Sequence, residues 1–89
     1  MNRKKSDFWI YVLMSEVNGN IYIGHTQDLE NRLYEHNKGE CEYTKKYRPW
    51  KIVYQEVFRS RSAAFKRELF WKSGAGRKIL KDMLFCPVV

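Results

Sequence analysis

Two short apolar runs, Phe8 to Met14 and Ile21 to Gly24, flank the dipeptide Asn18-Gly19. Both runs are β-prone, and Asn-Gly is a strong hairpin turn signal. The start of the chain therefore reads as two antiparallel strands. Side chains alternate along a strand, so register decides which of them share a face. A two-residue turn makes paired positions sum to an odd number, which puts Tyr11 and Tyr22 on one face. That register sets Tyr22 against Ser15, about 13 Å along the strand from Tyr11. Direct opposition of the two rings needs a wider loop, from about Met14 to Gly19, with the parity kept. Two rings so placed either cover the sheet face or contribute to a shared site.

The rest of the chain continues the pattern without repeats or linkers. Asp28 is positioned to cap a helix carrying Leu29 and Leu33, which Gly39 ends. Glu40 to Arg48 reads as a polar and aromatic loop before Pro49. Lys51 to Phe58 reads as a third strand. Ser60 or Ser62 caps a second helix with Phe65, Leu69 and Trp71, and Ser73-Gly74-Ala75-Gly76 breaks it. Arg77 to Leu84 forms a last short helix. The order β-β-α-β-α-α predicts an α+β fold, a small three-stranded, mainly antiparallel sheet flanked by helices. Eighty-nine residues make one domain, 1–89, with a basic N-terminal tail at 1–7 and a C-terminal tail at 85–89.

Charge is distributed unevenly. Residues 1–44 carry five basic and seven acidic side chains, whereas residues 45–89 carry twelve basic and three acidic. A basic half on a small domain is an electrostatic footprint for a polyanion, or a solvated surface that keeps the chain soluble. Aromatics among the basic residues, Tyr43, Tyr47, Trp50 and Tyr54, can stack on bases or fill the core. No apolar run approaches the roughly 20 residues that span a membrane. Cys41 and Cys86 are too few for a disulfide framework, and they read as free thiols in a reducing, cytoplasmic compartment.

Three further residues carry chemistry. Arg32 and His36 are four apart, so they share a helix face beside Leu29 and Leu33. Arginine grips a phosphate with a planar fork, and it pairs equally well with Asp28 or Glu35. Glu68 falls on or beside the apolar face of its helix, where a carboxylate needs a partner. Arg32, a lysine or a divalent cation can serve. One carboxylate completed by waters and substrate oxygens suits Mg²⁺. Gly74 and Gly76 lack the context of a phosphate-binding loop, and the two histidines lack zinc-ligand spacing.

Ile10-Tyr11, Tyr22-Ile23-Gly24, Thr26 and Leu29-x-x-Arg32-Leu33-x-x-His36-Asn37 together resemble the GIY-YIG nuclease family. Pro49-Trp50, Arg67-Glu68 and Lys72-Ser73-Gly74-Ala75-Gly76-Arg77 resemble its small standalone branch, which is similar to the N-terminal nuclease module of the bacterial excision-repair incision subunit. The resemblance runs from about Phe8 to Leu84. It implies a Mg²⁺- or Mn²⁺-dependent endonuclease acting on DNA, with RNA as a second candidate substrate, in repair or processing. The alternatives are a basic nucleic-acid-binding module that keeps the fold without the chemistry, and a structural or adaptor domain whose charges are only solvated surface. By the resemblance, Glu68 holds the metal, Arg32 binds the phosphate and Tyr11 activates or orients water. Tyr22, His36 and His25, the residue after the YIG glycine, complete the catalytic set. These groups are expected on one concave surface. Arg32, the metal and a histidine, His25 or His36, would supply the positive field that lowers the phenol pKa. Lys45, Lys46, Arg48, Lys72, Arg77 and Lys78 are the expected nucleic-acid contacts. The chain departs from the family pattern in having Trp9 in place of the first motif glycine and no Asn after Asn37.

Overall fold

The hairpin forms as the sequence predicts, in a computed structural model that describes residues 7–85. Strand β1 (Phe8–Ser15) pairs antiparallel with β2 (Ile21–Thr26). The turn is wider than the dipeptide signal alone implies. Ser15 N donates to Asn20 O at 2.8 Å, and Gly19 N donates to Ser15 O at 3.0 Å. The Ser15 hydroxyl oxygen also accepts from Val17 N at 3.0 Å, turning the chain before Asn18-Gly19 is reached. Only Gly19, at φ 77°, takes the left-handed conformation there. The register that results pairs Tyr11 with Gly24 and Leu13 with Tyr22. The tyrosines therefore share a face, as parity requires, but they sit diagonally rather than opposite.

Helix α1 (Leu29–Lys38) begins where Asp28 accepts from Asn31 N and ends where Gly39 turns left-handed at φ 91°. Strand β3 (Trp50–Phe58) pairs antiparallel with β1, with a register shift between Val12 and Leu13. The sheet order is β2-β1-β3, so β2 is an edge strand. Helix α2 (Arg61–Lys72) is capped by Ser60, whose side chain accepts from Ala63 N. Helix α3 (Gly74–Phe85) starts three residues before Arg77, so only Ser73 separates the two helices. Gly76 makes this possible, because a Cβ there would overlap the carbonyl oxygen of Phe70. Cys86 and the rest of the termini lie outside the described residues.

Each face of the sheet has its own core. Ile10, Val12 and Ile23 pack with Ala64, Trp71 and Leu80 on the α2–α3 side. Tyr11, Leu13, Leu29 and Trp50 pack on the α1 side, with Trp9, Tyr22 and Leu33 around them. Each fully buried aliphatic side chain contributes about 1.5–3 kcal/mol. The two-sided burial explains why β1 reads as a continuous apolar run instead of an alternating one.

Candidate active site

Tyr11 comes from the central strand and is only 2% exposed. Its ring lies across Gly24, where an added Cβ would stand 2.6 Å from the tyrosine hydroxyl. The ring cannot swing away cheaply, because the hydroxyl is held from two directions. Arg32 Nε donates to it at 3.3 Å, and His36 Nε2 lies 3.0 Å away. Tyr22 packs beside both, with ring centroids 6.3 Å from Tyr11 and 5.0 Å from His36. Helical spacing thus delivers Arg32 and His36 to the tyrosine face together.

The hydrogen bonds in this cluster have one consistent direction. The Thr44 hydroxyl points to the Cys41 carbonyl at 3.4 Å, leaving its oxygen to accept from His36 Nδ1 at 2.8 Å. His36 Nε2 then carries no proton, and Tyr11 donates to it. The tautomer is the one that satisfies every member of the network. Burial, reinforced by the Arg32 charge, pushes the His36 pKa down to about 4, so the ring is neutral at neutral pH. Burial likewise pushes the Tyr11 phenol up to about 12, against the pull of Arg32. The expectation that His36 supplies positive field is thereby corrected: a fully buried imidazole beside a guanidinium stays neutral. Arg32 is the cation of the cluster, with its pKa raised by the hydrogen bond to Tyr11, and it also pairs with Glu35 at 3.0 Å.

Glu68 and His25 form a second cluster. His25 is the cross-strand partner of Ile10, so its ring turns to the α2 side. There its Nδ1 donates to Glu68 Oε1, while Lys72 Nζ lies 2.7 Å from Oε2. Burial pushes the Glu68 carboxyl up, but Lys72 and His25 outweigh it and the net shift is downward. The expectation of a single concave face is corrected accordingly, and a Glu68 across the sheet from the tyrosines counts against one shared catalytic site. Tyr11, Tyr22, Arg32 and His36 stand on one side of the sheet, and His25 and Glu68 stand on the other. At the edge of β2, Tyr22 from the first group and Lys72, the ion-pair partner of Glu68, line one depression of about 320 Å³ together with Tyr43 and Arg77. A strand in mid-sheet would separate them completely; the edge position of β2 does not.

The expected nucleic-acid contacts divide. Lys72 and Arg77 line the depression, whereas Lys78 is exposed on α3 away from it. Lys45 and Lys46 lie in a 3₁₀ turn at Lys45–Tyr47, and Lys45 pairs with Glu42 at 3.3 Å. Arg48 lies over Gly39, with its guanidinium where a Cβ on that glycine would be. Thr44 and Lys81 fall outside the set expected from the sequence. Lys81 is four residues after Arg77 and so shares its face, a spacing visible in the sequence. Nothing in the sequence marks Thr44. Asn37 brackets Trp50, accepting from its N at 2.6 Å and donating to its O at 3.0 Å, and so ties the end of α1 to the start of β3.

No group of three or more His, Cys, Asp or Glu side chains among the described residues is arranged to hold a metal ion. A one-carboxylate site is a different case. Glu68 is ionised and only 8% exposed, and a single carboxylate fits a hydrated Mg²⁺ completed by substrate oxygens, though not an all-protein cage. No helix among the described residues is long and apolar enough to cross a membrane.

The domain is thus a three-stranded α+β fold, with a buried tyrosine–histidine pair beside a partly exposed arginine on the α1 side and a carboxylate on α2. Residues 7–79 match the family described as the GIY-YIG catalytic domain, and the chain belongs to that family. A UPF0213 protein of Staphylococcus saprophyticus is 40% identical over 74 residues, covering 82% of this chain and 89% of that protein. A UPF0213 protein of Staphylococcus aureus is 35% identical over the same shares. The solution NMR structure of a UPF0213 protein from Bacillus halodurans superposes with a TM-score of 0.54 at 26% identity, over 91% of this chain and 88% of that one.

Proposed function

We propose that this chain, acting as a single domain, is a divalent-cation-dependent endonuclease with structure-selective or weakly specific action on DNA, serving repair or processing in the cytoplasm. The observation that carries the reading is the directed chain Arg32–Tyr11–His36. Its tyrosine donates to a neutral, unprotonated imidazole nitrogen, so the tyrosine proton has an acceptor within hydrogen-bond reach. The attacking water gives a proton to the Tyr11 oxygen as the tyrosine proton passes to His36 Nε2. The water oxygen bonds to phosphorus, the bond to the leaving deoxyribose oxygen breaks, and that oxygen takes up a proton from solvent. Arg32 holds a non-bridging phosphate oxygen, with its fork already oriented by Tyr11 and Glu35. Glu68 would hold Mg²⁺ or Mn²⁺, which would supply neutralisation of charge on the phosphate. Cys41 is a free thiol, which suits a reducing compartment.

The test is incubation of the purified protein with branched, flapped and single-stranded DNA, and with RNA, with and without Mg²⁺ or Mn²⁺. Cation-dependent cleavage is the expected result. Binding without cleavage under every cation would establish the non-catalytic module instead.

A further inference from the structure

Tyr43 is 63% exposed, unusual for a ring so firmly mounted. Its neighbour Thr44 is fully buried, accepts from His36 and holds the Trp50 indole through its carbonyl at 2.8 Å. The base of Tyr43 is therefore tied to the tyrosine–histidine cluster while its ring stands in solvent. That ring is tilted over Tyr22, centroids 6.0 Å apart, and it lines both depressions that run along the edge of β2. Lys72, Arg77 and Lys81 line the same two depressions from α2 and α3. Between ring and cations runs the free edge of β2. Ser15 N donates across the hairpin to Asn20 O, so the ladder alternation turns the N–H groups of Ile21 and Ile23 outward.

We propose that this edge is a track for a single nucleic-acid strand, with Tyr43 stacking on an unpaired base and Arg77 and Lys81 contacting the flanking phosphates. The proposal rests on the nuclease reading and adds a substrate class to it: strands with an unpaired nucleotide next to the cut, such as flaps and branches. Arg77 and Lys81 beside one exposed ring, with Lys72 held by Glu68, favour a polyanion over a peptide added to the sheet edge. A stack is tolerant of sequence, because every base has a π-face. The track therefore selects structure, not sequence.

The experiment measures binding of fluorescent single-stranded, flapped and blunt-duplex oligonucleotides to the wild type, Tyr43→Phe and Tyr43→Ala. Circular dichroism confirms the fold of each variant, and the exposure of Tyr43 leaves little packing to lose. Tyr43→Ala should weaken single-strand and flap binding by roughly 5- to 150-fold, the range for one base–aromatic stack, and leave blunt duplex unchanged. Tyr43→Phe should match the wild type. The Arg77→Gln/Lys81→Gln variant should reduce the salt slope on single strands by about 1.4, two contacts at roughly 0.7 each. Equal losses on single strand and duplex, no loss on either, or preferential binding of an uncharged extended peptide overturns the proposal. If the wild type binds no nucleic acid at low salt, the nuclease reading itself fails; if it cleaves and Tyr43→Ala behaves as wild type, only the strand track fails.

Discussion

Tyr11 lies opposite Gly24 across the β1–β2 pair, and its hydroxyl fills the space that a Cβ on residue 24 would take. The glycine of the second motif is therefore a packing requirement of the tyrosine of the first. Gly24→Ala should destabilise the fold by about 1–3 kcal/mol, the usual cost of overpacking a tight site. Tyr11→Phe removes the closest contact, so the double variant should lose less than the sum of the singles. Denaturant melts of all three variants measure this coupling.

Tyr11→Phe alone separates chemistry from packing. The ring stays, but Arg32 Nε and His36 Nε2 each lose a partner. A stability loss of about 1–3 kcal/mol is expected for leaving such groups unpaired. Cleavage should fall by roughly 100-fold or more beyond the change in folded fraction, on the scale of general acid–base catalysis. A variant cutting at the wild-type rate would remove Tyr11 from the mechanism.

His36 predicts an acid-sensitive fold. Its folded pKa of about 4 lies below the unfolded value near 6.5, so only the unfolded chain takes up its proton as pH falls. Stability from this residue is fully present above about pH 6.5 and drains away toward pH 4. The loss over that window is roughly 3 kcal/mol. Glu56 and Glu68, with carboxyls held below their usual range, add to the loss only at more acid pH. Thermal melts from pH 7.5 to 4 should show the decline beginning near 6.5, and His36→Gln should flatten that first part.

Glu68→Gln tests the metal site. Lys72 and His25, its two partners, are each about a third or more exposed, so water can replace the lost charge. Stability should fall by no more than about 1 kcal/mol. Cleavage should fall roughly 100-fold or more, as for loss of an important electrostatic stabiliser, while DNA binding holds or tightens. Melting, filter binding and cleavage on one preparation check this. Large destabilisation with unchanged activity per folded molecule would make Glu68 an ion-pair residue only.

Local order is written in the amino acids. Asn18-Gly19 marks the hairpin, Asp28 and Gly39 mark both ends of α1, and Ser60 marks the start of α2. Period-2 and period-3.6 spacing also put Tyr11 with Tyr22, and Arg32 with His36. These are short-range effects, settled by turn chemistry, caps and side-chain direction. How those pairs meet is a property of the folded chain. Ser15 hydrogen bonds widen the turn and shift the register by two residues along β1 from the two-residue hairpin, an effect that the Asn-Gly signal does not contain. Thr44, distant from Tyr11 in sequence, fixes the histidine tautomer through a loop with no periodic signal. The edge position of β2 depends on β3 choosing the other side of β1. That choice splits the candidate site into two clusters around one strand. Burial, not composition, then makes His36 neutral and lifts the Tyr11 phenol, because desolvation depends on everything packed around a group, not on its neighbours in the chain.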